Sequence, residues 1–223
     1  MNILVPNLGS TSLKHQILAM PAERVIAQGS VERVSDYSEA IARILEPGIV
    51  PGAVAFKAVH AGPAYRGVFL IDEDVLAAMR EFLPAAPAHN AIYLTAIRAF
   101  AERLPGVPLV AAFETEFHAS MPEHAALYGV PAEWRERYGV RRYGFHGASH
   151  RYVSERAAAL LGRPRESLRL VSCHLGGSSS VCAIDGGRPV DTTMGFSPQS
   201  GLENATRCGD VDAFAVLYMM ERR

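Results

Sequence analysis

The chain has little of several things that would point to common classes of protein. Only two of its 22 basic residues are lysines, its net charge is −1, and none of its three cysteines forms a CxxC pair. A near-neutral balance excludes the basic surface typical of proteins that bind nucleic acid or anionic membranes. An odd number of dispersed cysteines favours free thiols in a reducing compartment, so we expect a cytoplasmic protein.

Long apolar runs and two catalytic signatures are also missing. No run reaches the ~18 apolar residues of a membrane-spanning helix, and the N-terminus lacks the basic segment and cleavage site of a secretory signal. No Gly-Lys pair occurs, which excludes a P-loop, and no HExxH motif occurs, which argues against zinc at His146 and His150.

What is present predicts an α/β fold. The 223 residues are 49% hydrophobic, so a sizeable core can be buried. Apolar runs typical of strands alternate with helical patterns. Predicted strands cover 1–19 (a hairpin), 25–34, 53–60, 107–113, 168–174 and 180–184. Predicted helices cover 38–45, 72–82, 90–104, 149–161 and 211–220, with Ser38 and Ser149 as N-caps.

A small-residue turn near the N-terminus is the first candidate site. Gly9-Ser10-Thr11-Ser12 joins two extended runs, and Lys14 follows it. Backbone N–H groups, hydroxyls and an ammonium are groups that bind phosphate. An ordinary hairpin turn has the same composition, so this alternative stays open.

Four single residues are further candidates, each with a structural alternative. Lys57 lies in an apparently buried strand and needs an anionic partner, unless it reaches solvent from an edge strand. Glu114 follows a buried strand, where ligands of α/β proteins collect, or is an ordinary loop carboxylate. His146, between glycines, suits donation to a phosphoryl oxygen or simple packing. Arg207 suits a carboxylate or a phosphate, although arginine is abundant here.

Taken together, the motifs resemble the acetate kinase family of the actin/hexokinase/Hsp70 superfamily. The resemblance runs in order from residue 1 to residue 223. Its strongest segments are 7–14, 87–90, 113–118, 143–150, 173–176, 194–198 and 206–209. It implies an actin-like (ribonuclease H-like) α/β fold, with a nearly complete first domain at 1–115 and an incomplete, nucleotide-side domain at 116–223.

The resemblance also implies a reaction and a set of site residues. The reaction is reversible transfer of the ATP γ-phosphoryl, with Mg²⁺, to a short-chain carboxylate such as acetate, propionate or butyrate. Catalytic roles fall on Lys57, Glu114, His146 and Arg207. Substrate contacts fall on Lys57, Val59, Ala88, His89, Phe145 and Pro198. Phosphate contacts fall on Asn7, Ser10, Ser12, Lys14, His174, Gly176, Gly177 and Ser178, with Asn7 also a weak Mg²⁺ ligand.

Four positions depart from the family pattern. Lys57 replaces an arginine and so loses the planar fork that binds a carboxylate in bidentate fashion. Glu114 replaces an aspartate, which moves the carboxylate by about one methylene, and a ~1 Å misplacement can cost on the order of 10²-fold in rate. Gly177-Ser178 replaces Asn-Gly. Ala88 replaces a larger residue, usually leucine, which widens the pocket and predicts acceptance of propionate or butyrate.

Length is the largest departure, because family members continue past residue 223. The missing part would carry the adenosine site, a further acidic Mg²⁺ residue and much of a homodimer surface. We therefore expect weak or no ATP affinity from this chain alone. A second hypothesis is a catalytically impaired remnant that binds an anion or acyl phosphate. A third is a sugar-kinase-like or Hsp70-like ATPase, against which segments 113–118 and 143–150 argue.

Overall fold

The computed structural model describes residues 1–9, 12–45 and 48–222 and divides the chain into two compact units. Unit 1 is Met1–Glu114 and unit 2 is Thr115–Arg223. Each unit combines helices with its own sheet, of six strands in unit 1 and of three in unit 2. The predicted α/β class is therefore confirmed.

The sheet of unit 1 has the strand order β3-β2-β1-β4-β6-β5. Strands β1, β2 and β3 are antiparallel neighbours, whereas β1, β4 and β6 run parallel to one another. Its strands are β1 (Asn2–Leu8), β2 (Ser12–Ala19), β3 (Arg24–Glu32), β4 (Ala53–Ala58), β5 (Val68–Leu70) and β6 (Leu109–Phe113).

The β1–β2 hairpin shows the alternation of a half-buried sheet. Leu13 and Ile17 of β2 are buried, whereas Lys14 and Gln16 are exposed. In the ladder, Asn7 of β1 pairs with Lys14. Because successive side chains point to opposite faces, the same register buries the leucines and places the lysine on the open face.

Helices α1 (Tyr37–Leu45), α2 (Glu73–Glu81) and α3 (Pro87–Arg103) complete unit 1. Phe100 of α3 meets Phe56 of β4 edge to face at 5.3 Å between ring centroids, and both are fully buried. The prediction that Ser38 caps α1 is wrong: Asp36 accepts the Ser38 N–H at 2.7 Å. Helix α3 begins at Pro87, three residues before the predicted start, because proline suits the first helical position.

Unit 2 is built on the antiparallel sheet β7-β8-β9. Its strands are β7 (Arg169–Leu175), β8 (Ser179–Asp185) and β9 (Arg188–Thr192). Its helices are α4 (Glu123–Ala126), α5 (Ala132–Tyr138), α6 (Gly147–Leu161) and α7 (Ala213–Met220). Phe117, Cys182 and Ile184 form a buried apolar cluster in this unit.

The second half differs from expectation at three points. The prediction that Ser149 caps α6 is wrong, because α6 begins at Gly147 and Ser149 lies inside it. Segment 115–142, where the sequence pattern predicts no helix or strand, contains α4 and α5. Strand β9 is likewise not among the predicted strands. Within the described ranges, no helix is both long enough and apolar enough to cross a bilayer.

Candidate active site

In unit 1 the predicted residues collect at one edge of the sheet. Strands β1, β4 and β6 are parallel, so their carboxyl ends meet at the same edge. Asn7 lies near the end of β1, Lys57 near the end of β4, and Glu114 directly after β6. Three segments that are far apart in the sequence thus bring a polar or charged side chain to the same edge.

Lys57 and Glu114 form an ion pair at this edge. Lys57 Nζ lies 2.7 Å from Glu114 Oε1, and the two side chains are 51% and 8% exposed, respectively. The Glu114 N–H donates to the Ala58 carbonyl at 2.8 Å, which fixes the carboxylate beside β4. Lys57 therefore has an anionic partner, as predicted. Of the alternative, the edge strand is wrong, because β4 lies between β1 and β6, but the side chain does reach solvent.

Two tyrosines form hydrogen bonds with the backbone at the end of β1. The Tyr37 hydroxyl donates to the Gly9 carbonyl at 2.6 Å. Burial raises the pKa of Tyr93, the Glu114 carboxylate raises it further, and a hydrogen bond with the Leu8 backbone partly offsets both effects. Tyr93 therefore lies between the end of β1 and the carboxylate that follows β6.

The start of α3 is tied to the end of β4. Asn90 Nδ2 donates to the His60 carbonyl at 2.7 Å and to the Met79 carbonyl at 2.9 Å. Val59, directly after β4, is buried, whereas His89 is half-buried and Ala88 is exposed in the first turn of α3. The predicted substrate contacts of unit 1 thus lie on adjoining segments.

The candidate phosphate turn is described except for Ser10 and Thr11, so the prediction at Ser10 lies outside the described residues. The Gly9 N–H donates to the Ser12 carbonyl at 2.8 Å, and a β-carbon at Gly9 would lie 2.7 Å from Ser12 Oγ. Asn7 and Lys14 border an open groove of about 580 Å³ on the exposed sheet face. Both side chains are thus accessible to a ligand within this unit.

In unit 2, His146 and His174 stack on each other. Their ring centroids are 4.0 Å apart with 21° between the planes. His146 has a left-handed backbone (φ 57°) and directly precedes α6. His146 Nδ1 lies 2.8 Å from Ser180 Oγ, and His174 Nδ1 lies 2.9 Å from Ser149 Oγ.

The remaining polar candidates of unit 2 form a second group. The turn Gly176-Gly177-Ser178 joins β7 to β8, and the Gly177 carbonyl accepts the Ala205 N–H at 3.1 Å. Arg207 Nη1 donates to the Pro198 carbonyl, and burial lowers the pKa of the Arg207 guanidinium. The structure therefore joins Arg207 to Pro198 and links the turn to the segment that leads to Arg207.

Phe145 is fully buried, and its carbonyl lies 3.0 Å from His118 Nε2. A carbonyl only accepts, so His118 Nε2 carries a proton. Gly144, at φ 72°, allows this contact, because a β-carbon there would lie 2.6 Å from the His118 ring. Phe145, Val59 and Pro198, the three apolar residues other than Ala88 among the predicted substrate contacts, are all buried.

Sequence reasoning missed the groups that support the histidine stack. His150 is buried beside the stack and contacts two serines, Ser172 and Ser180, and His118 is buried beside His150. Ser180 lies in β8, and nothing in the sequence identified its partners. Over residues 1–9, 12–45 and 48–222, no three His, Cys, Asp or Glu side chains are grouped to hold a metal ion.

Both a family model and individual proteins match this chain. Residues 50–223 match the model of the acetokinase family. The chain is 43% identical to an acetate kinase of Bacillus mycoides (strain KBAB4), over 99% of this chain and 63% of that protein. The crystal structure of Porphyromonas gingivalis acetate kinase matches at 34% identity and a TM-score of 0.83, over 99% of this chain and 64% of that one.

A propionate kinase structure from Francisella tularensis matches at 30% identity and a TM-score of 0.88, also over 99% of this chain and 64% of that one. The chain therefore spans slightly under two thirds of the length of these relatives. The family model nevertheless covers most of the sequence, and the fold is that of solved acetate and propionate kinases. On this evidence, the chain belongs to the acetokinase family.

Proposed function

We propose that the chain is the larger part of a short-chain carboxylate kinase that uses ATP and Mg²⁺. A carboxylate oxygen attacks the γ-phosphorus, the bond to the β–γ bridging oxygen breaks, and an acyl phosphate and ADP result. The reverse reaction uses the same groups. The observation that carries the proposal is the Lys57–Glu114 pair at the carboxyl edge of the parallel strands, in a chain of the acetokinase family.

Positioning and charge neutralisation account for most of the catalysis in phosphoryl transfer. Lys57 has three ammonium donors, so it can hold a substrate carboxylate while it keeps its bond to Glu114. His146 donates to the transferring phosphoryl group, and Arg207 neutralises charge on it or on the substrate carboxylate. Val59, Phe145 and Pro198 form the apolar contacts of the substrate, and His89 a polar one.

The ATP phosphates are held by two turns in this proposal. Asn7, Ser10, Ser12 and Lys14 serve as phosphate contacts in the N-terminal domain. His174 and the turn Gly176-Gly177-Ser178 serve in the nucleotide-side domain. Mg²⁺ commonly binds few protein oxygens and several phosphate and water oxygens. The exposed amide of Asn7 fits that limited role, and when bound the ion neutralises phosphate charge.

The direct test is a hydroxamate assay with ATP, Mg²⁺ and acetate, propionate or butyrate. We expect acyl hydroxamate to form and Arg207→Ala to reduce it by at least on the order of 10²-fold, as for loss of a group that stabilises transition-state charge. Arg137→Ala is the matched control, because Arg137 forms an exposed ion pair with Glu133 in the same unit. No product with any of the three acids would contradict the proposal.

Ala88 gives the proposal a substrate preference. The small side chain is exposed at the start of α3, so propionate or butyrate should be used at least as well as acetate. Ala88→Leu should restore preference for acetate, by roughly 10-fold for the volume of one or two methylenes. Steady-state kinetics that show strict acetate preference in the original chain would contradict this part.

A second candidate function is binding of an anion or acyl phosphate without turnover. It is favoured by the Lys57–Glu114 contact, which engages the lysine that stands in place of the family arginine. Isothermal titration calorimetry separates the two. Binding of acetyl phosphate without ATP binding or turnover would support the second candidate, whereas ATP binding with turnover would support the first.

A further inference from the structure

We propose that His150 and Ser180 are positioning residues that fix which ring nitrogen of His146 carries the proton. Neither needs to touch a ligand for this role. The inference deepens the proposed function, because it rests on His146 as a donor to a phosphoryl oxygen. It also makes a statement about the free protein that can be tested without any substrate.

The geometry is a continuous chain of four hydrogen-bonding groups. Ser172 Oγ lies 2.9 Å from His150 Nδ1. His150 Nε2 lies 2.8 Å from Ser180 Oγ, which lies 2.8 Å from His146 Nδ1. His150 and Ser180 are fully buried and Ser172 nearly so, whereas His146 is partly exposed. The chain therefore runs from the interior to the one ring that a ligand can reach.

Two features favour a neutral His146 ring. The ring stacks on His174 at 4.0 Å, so two imidazolium charges would repel at close range. His146 also directly precedes α6, a helix of 15 residues, and the positive end of a helix dipole disfavours a cation there. A neutral imidazole has one N–H, and donation to a phosphoryl oxygen from the far side of the ring requires that proton on Nε2.

A neutral His146 with Nε2–H determines every other proton in the chain. Its Nδ1 must accept, so the Ser180 hydroxyl must donate to it. Ser180 has only one proton, so its bond to His150 must be donated by His150 Nε2–H. A neutral His150 then has an unprotonated Nδ1, which accepts from the Ser172 hydroxyl. Each step leaves a buried polar group satisfied, which is the condition for low cost in the interior.

The opposite order of protons is the alternative that a measurement can distinguish. In it, His146 Nδ1–H donates to Ser180, Ser180 donates to His150 Nε2, and His150 Nδ1–H donates to Ser172. His146 Nε2 would then be an acceptor and would repel a phosphoryl oxygen. In the first order both rings are protonated at Nε2, and in the opposite order both are protonated at Nδ1. The tautomer of either ring therefore indicates that of the other.

The test is long-range ¹H–¹⁵N NMR on the full chain labelled at histidine nitrogens, in which protonated and unprotonated ring nitrogens have distinct ¹⁵N shifts. We expect His146 and His150 both in the Nε2–H form at neutral pH. Ser180→Ala and His150→Phe should each lower the ratio of Nε2–H to Nδ1–H at His146 by on the order of tenfold, the equivalent of one hydrogen bond.

Conservative variants and a matched control separate positioning from folding. Ser180→Thr keeps a hydroxyl and His150→Gln keeps a side-chain N–H donor, so both should retain the original ratio. Ser154→Ala removes a different buried hydroxyl, which lies in α6 and donates to the Arg151 carbonyl. This variant should leave the ratio of tautomers at His146 unchanged. Circular dichroism identifies any variant that does not fold.

Three results would overturn the inference: Nδ1–H at His146 in the original chain, an unchanged ratio in folded Ser180→Ala, or the same change in Ser154→Ala. The original chain alone decides the first, so the test does not depend on any variant folding. The hydroxamate assay reports separately. Absence of turnover with the expected tautomers would contradict the kinase proposal and leave the positioning roles intact.

Discussion

The two units present their candidate residues by different physical means. Unit 1 relies on charge: one ammonium and one mostly buried carboxylate face each other at a strand edge. Unit 2 relies on ring stacking and hydrogen bonds rather than an ion pair: two stacked imidazoles, serine hydroxyls and a guanidinium bound to a carbonyl. A charge pair tolerates some loss of geometry, whereas a chain of single-proton bonds does not. A substitution at the candidate site of unit 1 should therefore have a local effect, whereas one in the hydrogen-bond chain of unit 2 should also affect the other groups of that chain.

The two units also differ in how far their large apolar side chains are buried. Unit 1 buries large side chains from the sheet and from α3, among them Leu4, Phe56 and Phe100. In unit 2, every described residue of α7 is exposed, and so are Val171 and Leu175 of β7. Because stability scales with apolar area removed from water, substitutions of large apolar residues should be costly in unit 1 and nearly silent on α7.

The largest expected effect is at Phe56. Phe56→Ala should cost roughly 3–5 kcal/mol, because it leaves a cavity and removes the edge-to-face contact with Phe100. Hydrogen exchange should show lost protection in unit 1. The matched change on α7, Phe214→Ala, removes a ring that is 77% exposed and should stay within about 0.5 kcal/mol. Equal loss in both variants would contradict the contrast between the interiors.

The next effect is at the ion pair. Lys57→Met leaves the Glu114 carboxylate without its ammonium, which should cost about 1–3 kcal/mol at neutral pH, below the cost for a fully buried pair because half of Lys57 is exposed. Chemical denaturation measures it. The loss should shrink in acid, where a protonated Glu114 needs no cation. Lys57→Met combined with Glu114→Gln should recover stability; failure to do so would assign the cost to lost packing.

A smaller effect, on the pH dependence of stability, should distinguish the two units at high pH. Burial raises the pKa of the Cys182 thiol from 9.0 to about 12, and burial also raises that of Tyr93, whose ordinary value is 10.0. The folded state thus holds each proton more tightly than the unfolded state. The resulting stability is complete below the unfolded pKa and declines above it.

Unit 2 should therefore begin to weaken from about pH 9 and unit 1 only from about pH 10. At pH 10 the thiol should cost unit 2 on the order of 1 kcal/mol. Urea titrations from pH 8 to pH 10, followed by the fluorescence of the single tryptophan Trp134 in unit 2, measure this. Cys182→Ala should remove the slope, and a slope that persists in this variant would contradict the assignment.

The smallest effect tests whether surface pairs distinguish the units at all. Each unit has an exposed helical Arg–Glu pair four residues apart, Glu39–Arg43 in α1 and Glu133–Arg137 in α5. Glu39→Gln and Glu133→Gln should each cost no more than about 0.5 kcal/mol in thermal unfolding. A clearly larger cost in either unit would mean that its stability depends on surface charge rather than on its interior.

The sequence predicted the longer elements well because their periodicity is strong. The hairpin, β4, β6, α3 and α6 lie where the apolar patterns place them, within a few residues. Strand β5 has only three residues, too few to show an alternation. Strand β9 contains Pro189 and Asp191, which are typical of turns, and only its pairing with β8 makes it a strand.

The candidate site was predictable in part. Lys57 lies near the end of an apolar strand and Glu114 directly after another, so their position at the carboxyl ends of the strands follows from the local sequence pattern. The contacts of His146 do not, because its serine partner is 34 residues away and becomes adjacent only when β8 packs near the start of α6. Ser149 illustrates the same limit: the local rule predicts an N-cap, but its hydroxyl contacts His174, 25 residues away.

The register of the β1–β2 hairpin has a consequence for how its length can vary. Asn7 and Lys14 share the open face because they are directly opposite in an antiparallel ladder, where paired side chains point to the same side. A slip of the pairing by one residue within the strands would turn Lys14 inward and bring Leu13 to the open face. Natural length variants of this hairpin should therefore add or remove residues between the paired strands rather than within them, because hairpin connections of several lengths preserve strand pairing.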